Sequence, residues 1–230
     1  ADMELTATTL EDLFQTIWDE KVVPQEWKQG IIIKIQKKGD LSVCDNYRGI
    51  TLLSTPSKVF AKTLINRIYT GVESKLRKEQ AGFRRGRSTT EQIFILRNIV
   101  EQAIEWNATM YMTFVDFEKA FDSVHQDSLW KILRTYGIPD KIIKMIQLLY
   151  DDNECTVADG GLQSEWFRIK TGVKQGCCMS GFLFLLAVAV DWIMRTVLAE
   201  TPLGIRWRMM TKLEDLDFAD DIALLSSSHD

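Results

Sequence analysis

Apolar residues recur three and four apart near the start of the chain, at Leu10, Leu13, Phe14, Ile17 and Trp18. That spacing predicts an amphipathic helix ending before Pro24. The pattern then changes to an apolar run from Gly30 to Ile35, a strand, followed by a polar turn from Lys37 to Asp40. Asn46 to Gly49 reads as the start of the return strand. Thr55 is placed to cap a helix with Pro56 in its first turn and Val59, Phe60, Leu64 and Ile68 facing inward. Ser88 and Glu91 form a capping-box pattern for a helix carrying Phe94, Leu96, Ile99, Val100, Ala103 and Ile104. A strand beginning at Tyr111 ends at Asp116. Further on, Ser128 to Tyr136 is helical and stopped by Gly137, and Pro139 opens a helix running to about Tyr150. Cys155 to Ala158 and Trp166 to Lys170, around Gly160 and Gly161, suggest a hairpin. Phe182 to Val190 reads as a core helix and Gly204 to Met209 as a strand. The stretch from Leu213 to Leu225 holds two short apolar runs meeting at Asp220 and Asp221. These elements predict a mixed α and β fold.

Two acids at the tip of an apolar hairpin repel each other and are costly to desolvate unless a positive charge lies between them. A divalent cation meets that need with oxygen ligands, and Mg2+ is the usual one beside phosphates. A solvated turn would use the same residue types. The strand ending at Asp116 supplies a third acid that can face the hairpin in one sheet. Three carboxylates from two distant strands suit a two-metal centre for phosphoryl transfer.

Composition narrows the class only a little. The 230 residues are 46% hydrophobic and 26% charged, those of an ordinary globular chain large enough for a substantial core. The net charge of −4 argues against indiscriminate nucleic-acid binding, although local charge placement decides that question. Cys44, Cys155, Cys177 and Cys178 lack zinc-site spacing and read as reduced, intracellular thiols. The first residues form no signal peptide, and the longest apolar run is far shorter than the roughly 20 residues a membrane helix needs. Neither repeats nor low-complexity segments are present. His125, alone in a loop, reads as a capping or surface group.

The motifs resemble those of a known family. Phe114 to Asp122 (FVDFEKAFD) is similar to the first palm motif of reverse transcriptases, and Phe218 to Asp221 (FADD) to their catalytic hairpin. Lys174 to Cys177 (KQGC), between them, resembles the motif that enters the long palm helix. Upstream, Gly39 to Leu53, containing DNYRGITLL, and Glu79 to Ser88 (EQAGFRRGRS) resemble finger-region motifs of non-LTR, LINE-type retrotransposons, closest to the RTE-like group. The resemblance runs from about Val22 to the end. The sequence departs from it at Gly181, where proline is usual, at Cys178, where a larger apolar residue is common, and at Gln36, which replaces a frequent proline. These departures bear on activity rather than fold.

The resemblance implies an α+β right-hand polymerase. An N-terminal helix and fingers would span residues 1–108, and a palm with an antiparallel sheet backed by helices residues 109–230, with the thumb absent. It implies RNA-directed DNA polymerisation, extending a primer with dNTPs on an RNA template. Asp116, Asp220 and Asp221 would act as catalytic ligands of two Mg2+ ions, with Mn2+ as a substitute. Arg48, Lys37 and Lys38 would grip the nucleotide's triphosphate, Gln175 would contact it, and Phe121 would exclude a 2′-hydroxyl. A guanidinium suits phosphate because its fixed fork can bind two oxygens. Arg84, Arg85 and Arg87 would hold nucleic-acid backbone. Expected partners are the RNA template, the DNA primer, dNTPs and the rest of a retroelement polyprotein (thumb and endonuclease), without a membrane; the family implies a nuclear site of action. A non-catalytic nucleic-acid-binding remnant of a retroelement, or a metal-dependent nuclease, would retain some of the same residues.

Overall fold

The computed structural model describes residues 2–187, 204–208 and 211–228. The chain divides into two compact units: residues 1–73 with 121–180, and residues 74–120 with 181–230.

In the first unit, the apolar run after Pro24 becomes β1 (Gln29–Gln36), which pairs antiparallel with β2 (Tyr47–Leu52). The polar residues between them form the hairpin tip, with Lys37 N–H bonded to Asn46 O at 2.7 Å. On its other edge β1 pairs in parallel with β4 (Glu154–Asp159), which also pairs with the short strands β5 (Leu162–Gln163) and β6 (Phe167–Arg168). Helices supply the core. α1 (Met3–Glu20) is capped by the Asp2 carboxylate and stops at Lys21, whose φ is 57°. It sets Phe14 against Trp27 and Phe60, with ring centroids 5.1 to 6.2 Å apart. α2 (Thr55–Glu73) buries Phe60, Leu64, Ile65 and Ile68. Its cap is Ser54 rather than Thr55, because Ser54 Oγ accepts from Ser57 N at 3.4 Å. Val59, expected on the inner face, is exposed. α4 (Ala120–Ser123) is one turn; α5 (Gln126–Thr135) and α6 (Asp140–Leu148) follow, with Gly137 between them at φ 76°. His125 caps α5, its Nδ1 accepting from Ser128 N, as expected of a lone loop histidine.

In the second unit, α3 (Thr89–Glu105) is capped by Ser88 Oγ, while Glu91 pairs with Arg87 instead of closing the capping box. β3 (Tyr111–Val115) lies antiparallel to β10 (Asp221–Ser226), which in turn pairs with β9 (Asp215–Phe218), giving the order β3-β10-β9. β7 (Ile205–Arg208) and β8 (Thr211–Leu213) form a separate ribbon. Ile99, Leu216 and Leu225 centre the core between α3 and this sheet. Phe94 and Ile104, predicted on the packed face of α3, are exposed. α7 (Ser180–Ala187) begins the apolar helix and buries Phe182, Leu183, Phe184 and Leu185. The expected continuations at residues 188–190 and at Met209 lie outside the described residues. A Cβ at Gly181 would run into the Phe83 ring. That contact accounts for glycine at a position where proline was expected. No described helix is long and apolar enough to cross a membrane.

Candidate active site

The register of β3 on β10 assembles the acids. Val115 pairs with Ile222, so Asp116 and Asp221 leave the ladder side by side, and Asp220 occupies the adjoining turn. Asp116 and Asp221 are exposed and Asp220 is half-buried. Asp221 is pushed above the usual carboxylate range, first by partial burial and then by repulsion from Asp220 and Asp116. Among the described residues, none donates a hydrogen bond or an ion pair to the three acids. Nor do any three His, Cys, Asp or Glu side chains there form a ready-made metal cage. Such an open, repelling set fits Mg2+, which is usually held by one or two carboxylates plus substrate phosphate oxygens rather than by protein alone. A cleft of about 260 Å³ adjoins Asp116 and Asp221, walled by Ile93, Phe114, Val115 and Leu216.

The hairpin rests on buried polar groups that the sequence patterns did not reveal. Asp215 and Asp217, two apart on β9, are 2% and 0% exposed, and the Arg77 guanidinium pairs with both. One cation thus faces two buried carboxyl groups. Burial, and then repulsion from Asp215, raise Asp217 to about 8; burial raises Asp215 against the pull of Arg77. Gln80 and Gln92 are also buried, and both hydrogen-bond to the hairpin backbone. Two acids two apart on a strand would equally suit a solvated face, and their partner Arg77 lies 138 residues away from Asp215.

The residues expected to meet a nucleotide lie in the first unit. Arg48, opposite Ile35 in the β1–β2 hairpin, is exposed, as are Lys37 and Lys38. Lys37 Nζ reaches the Asp45 carbonyl at 3.2 Å. Gln175 and Phe121 are half-buried and joined to the same framework by backbone. Thr51 N donates to Gln175 O at 2.6 Å, and Val173 N to Phe121 O at 2.8 Å. The segment from Thr171 to Gly176 thus ties α4 to β2. Gly176 has φ 113°, and a Cβ there would strike the Thr51 carbonyl. Beside it Lys174 is buried, donates to Leu149 O at 2.8 Å and is lowered to about 8 by desolvation.

In the basic loop, Arg84 is half-buried and donates to the carbonyls of Arg77 and Gln80 at 2.5 and 2.8 Å. Arg85 and Arg87 are exposed, with Arg87 paired to Glu91.

The described residues form a mixed α/β fold with an acidic hairpin beside a third strand-end acid. The chain is similar in fold to a Candida tropicalis apo telomerase truncated from its C-terminal domain, with TM-score 0.64 and 17% identity over 94% of this chain and 48% of the other. The family model described as "Reverse transcriptase (RNA-dependent DNA polymerase)" matches residues 35–230. The chain belongs to that reverse transcriptase family. Among its relatives are the Pol polyprotein of the type-1 retrotransposable element R2 of Popillia japonica, 31% identical, covering 90% of this chain and 28% of the relative. Another is the RNA-directed DNA polymerase from the mobile element jockey of Drosophila melanogaster, 27% identical, covering 94% and 23%. A third is the transposon TX1 149 kDa protein of Xenopus laevis, 28% identical, covering 77% and 15%. The resemblance to non-LTR elements is borne out, and the chain spans under a third of these relatives' length.

Proposed function

We propose that this chain is the catalytic part of an RNA-directed DNA polymerase that extends a DNA primer with dNTPs on an RNA template. The observation that carries the reading is the β3–β10 register. It brings Asp116 beside Asp221 from over a hundred residues away, with no paired cation among the described residues. Carboxylates gathered at such cost in repulsion are suited to binding a divalent cation.

In this reading the sheet β3-β10-β9 is the palm and the β1–β2 hairpin belongs to the fingers. Two Mg2+ ions, or Mn2+ in their place, would lower the pKa of the primer 3′-hydroxyl, so that its proton passes to solvent, and would neutralise the leaving pyrophosphate. Asp116 and Asp220 would hold them, and Asp221 would contribute chiefly negative charge. Arg48, supported by Lys37 and Lys38, neutralises the triphosphate. Phe121 crowds the sugar where a 2′-hydroxyl would sit, and Gln175 touches the nucleotide. Arg85 and Arg87 face the nucleic-acid backbone, while Arg84 shapes the loop that presents them. The primer 3′-oxygen attacks the α-phosphorus and pyrophosphate leaves. Within a longer retroelement polyprotein, a thumb and an endonuclease would act with this part in the nucleus.

Primer extension on an RNA template with Mg2+ and dNTPs tests the reading. The wild-type chain should lengthen the primer and Asp220→Asn should not. Shortening of primer or template instead would identify a nuclease, and binding without extension by folded wild type would identify a non-catalytic remnant.

A further inference from the structure

We propose that Gln80 is a positioning residue that sets the turn aiming Asp220 and Asp221, an inference that rests on these acids binding metal. Glu79 to Ala81 runs parallel to β9: Asp217 N donates to Glu79 O at 3.2 Å and Ala81 N to Asp217 O at 2.9 Å. This places the Gln80 side chain, 2% exposed, under the hairpin turn. Its Oε1 accepts from Ala219 N at 3.0 Å and from Gly82 N at 2.6 Å, and its Nε2 donates to Ala219 O at 3.2 Å. One amide therefore holds both backbone groups of the residue just before the paired acids.

That residue needs holding. Ala219 has φ 60°, a left-handed conformation unfavourable for a side chain with a Cβ. Gly82 closes over it, and a Cβ at position 82 would collide with the Ala219 backbone. Asp220 and Asp221 have no described partner of their own, so the backbone of this turn alone directs their carboxylates. The task calls for a donor and an acceptor on one side chain long enough to reach past the end of β9. Glutamine meets both requirements. Gln92 braces the arrangement from behind, donating to Glu79 O at 2.8 Å and Asp217 O at 3.2 Å.

The test uses Mn2+ alone as probe, with free Mn2+ read by electron paramagnetic resonance on the 230-residue chain. Amide exchange at Ala219 is measured against that at Leu216 in the strand. Gln80→Met keeps length and volume but removes both polar groups. It should speed exchange at Ala219 relative to Leu216 and weaken Mn2+ binding about tenfold, the scale of one lost hydrogen bond. Gln80→Glu retains the acceptor for Ala219 N and should keep that amide protected and binding within about threefold of wild type. Equal Mn2+ affinity in wild type and Gln80→Met overturns the proposal, as does a Gln80→Glu protein no better than Gln80→Met. Should Gln80→Met not fold, the Gln80→Glu result and rapid Ala219 exchange in wild type itself remain able to overturn it. Wild-type Mn2+ binding that matches Asp220→Asn would remove the metal-site reading, and this inference with it; binding lost in Asp220→Asn but kept in Gln80→Met removes the inference alone.

Discussion

Arg77 pairs with both buried acids of the hairpin strand β9. Removing it leaves Asp215 and Asp217 buried without their cation, which costs about 3 to 5 kcal/mol. Urea denaturation of Arg77→Met should show that loss, and a change under 1 kcal/mol would contradict the pairing. Asp217 adds a pH dependence. Its folded form retains a proton up to about 8, whereas in the unfolded chain the carboxyl ionises near the usual 3.8. Folding therefore takes up a proton between these values, so this group's contribution is fully present below about 4 and lost as the pH rises through 8. Asp217→Asn should gain stability relative to wild type as the pH is raised from 5 to 8; a constant difference would place the proton elsewhere. Asp116, Asp220 and Asp221 were legible because each sits at a strand end inside a recognisable run. Asp215, Asp217, Arg77 and Gln80 were not, since their meaning comes from long-range contacts that periodicity does not encode.

Among the elements, the segment from Thr171 to Gly176 is tied down on both sides. It bonds Phe121 on one side and Thr51 on the other, and Gly176 crosses β2 where no Cβ fits. Gly176→Ala should cost roughly 1 to 3 kcal/mol through backbone strain. It should also raise the KM for dNTPs more than it lowers kcat, because Gln175 would move with the backbone. A proportional fall in kcat with unchanged KM would separate Gln175 from nucleotide binding. Helices and strands were readable where one apolar face meets one core, as in α2 and β10. The misreadings fall where apolar residues stay exposed: Val59 on α2, and Phe94 and Ile104 on α3. Hydrophobic spacing shows which residues share a face without showing that anything covers it. The cap at Ser54 was displaced by one residue because both Ser54 and Thr55 satisfy the same rule.

For the molecule as a whole, the order of elements was legible in the sequence. Each compact unit draws on two separate stretches of chain. Contacts made far apart in sequence decide that grouping, and a linear pattern does not carry them. Asp116, Asp220 and Asp221 belong to one unit and Arg48, Phe121 and Gln175 to the other. In the proposed function, acids from β3 and from the hairpin act as one catalytic group. Single-turnover incorporation of one deoxynucleotide opposite an RNA template, by Asp116→Asn, Asp220→Asn and the double variant, tests it most directly. Each single change should lower the rate by roughly 10³-fold or more and the double variant should be hardly worse, the non-additivity of residues working as a unit. Losses that multiply in the double variant, or an Asp116→Asn protein that incorporates nucleotide at the wild-type rate, would contradict it.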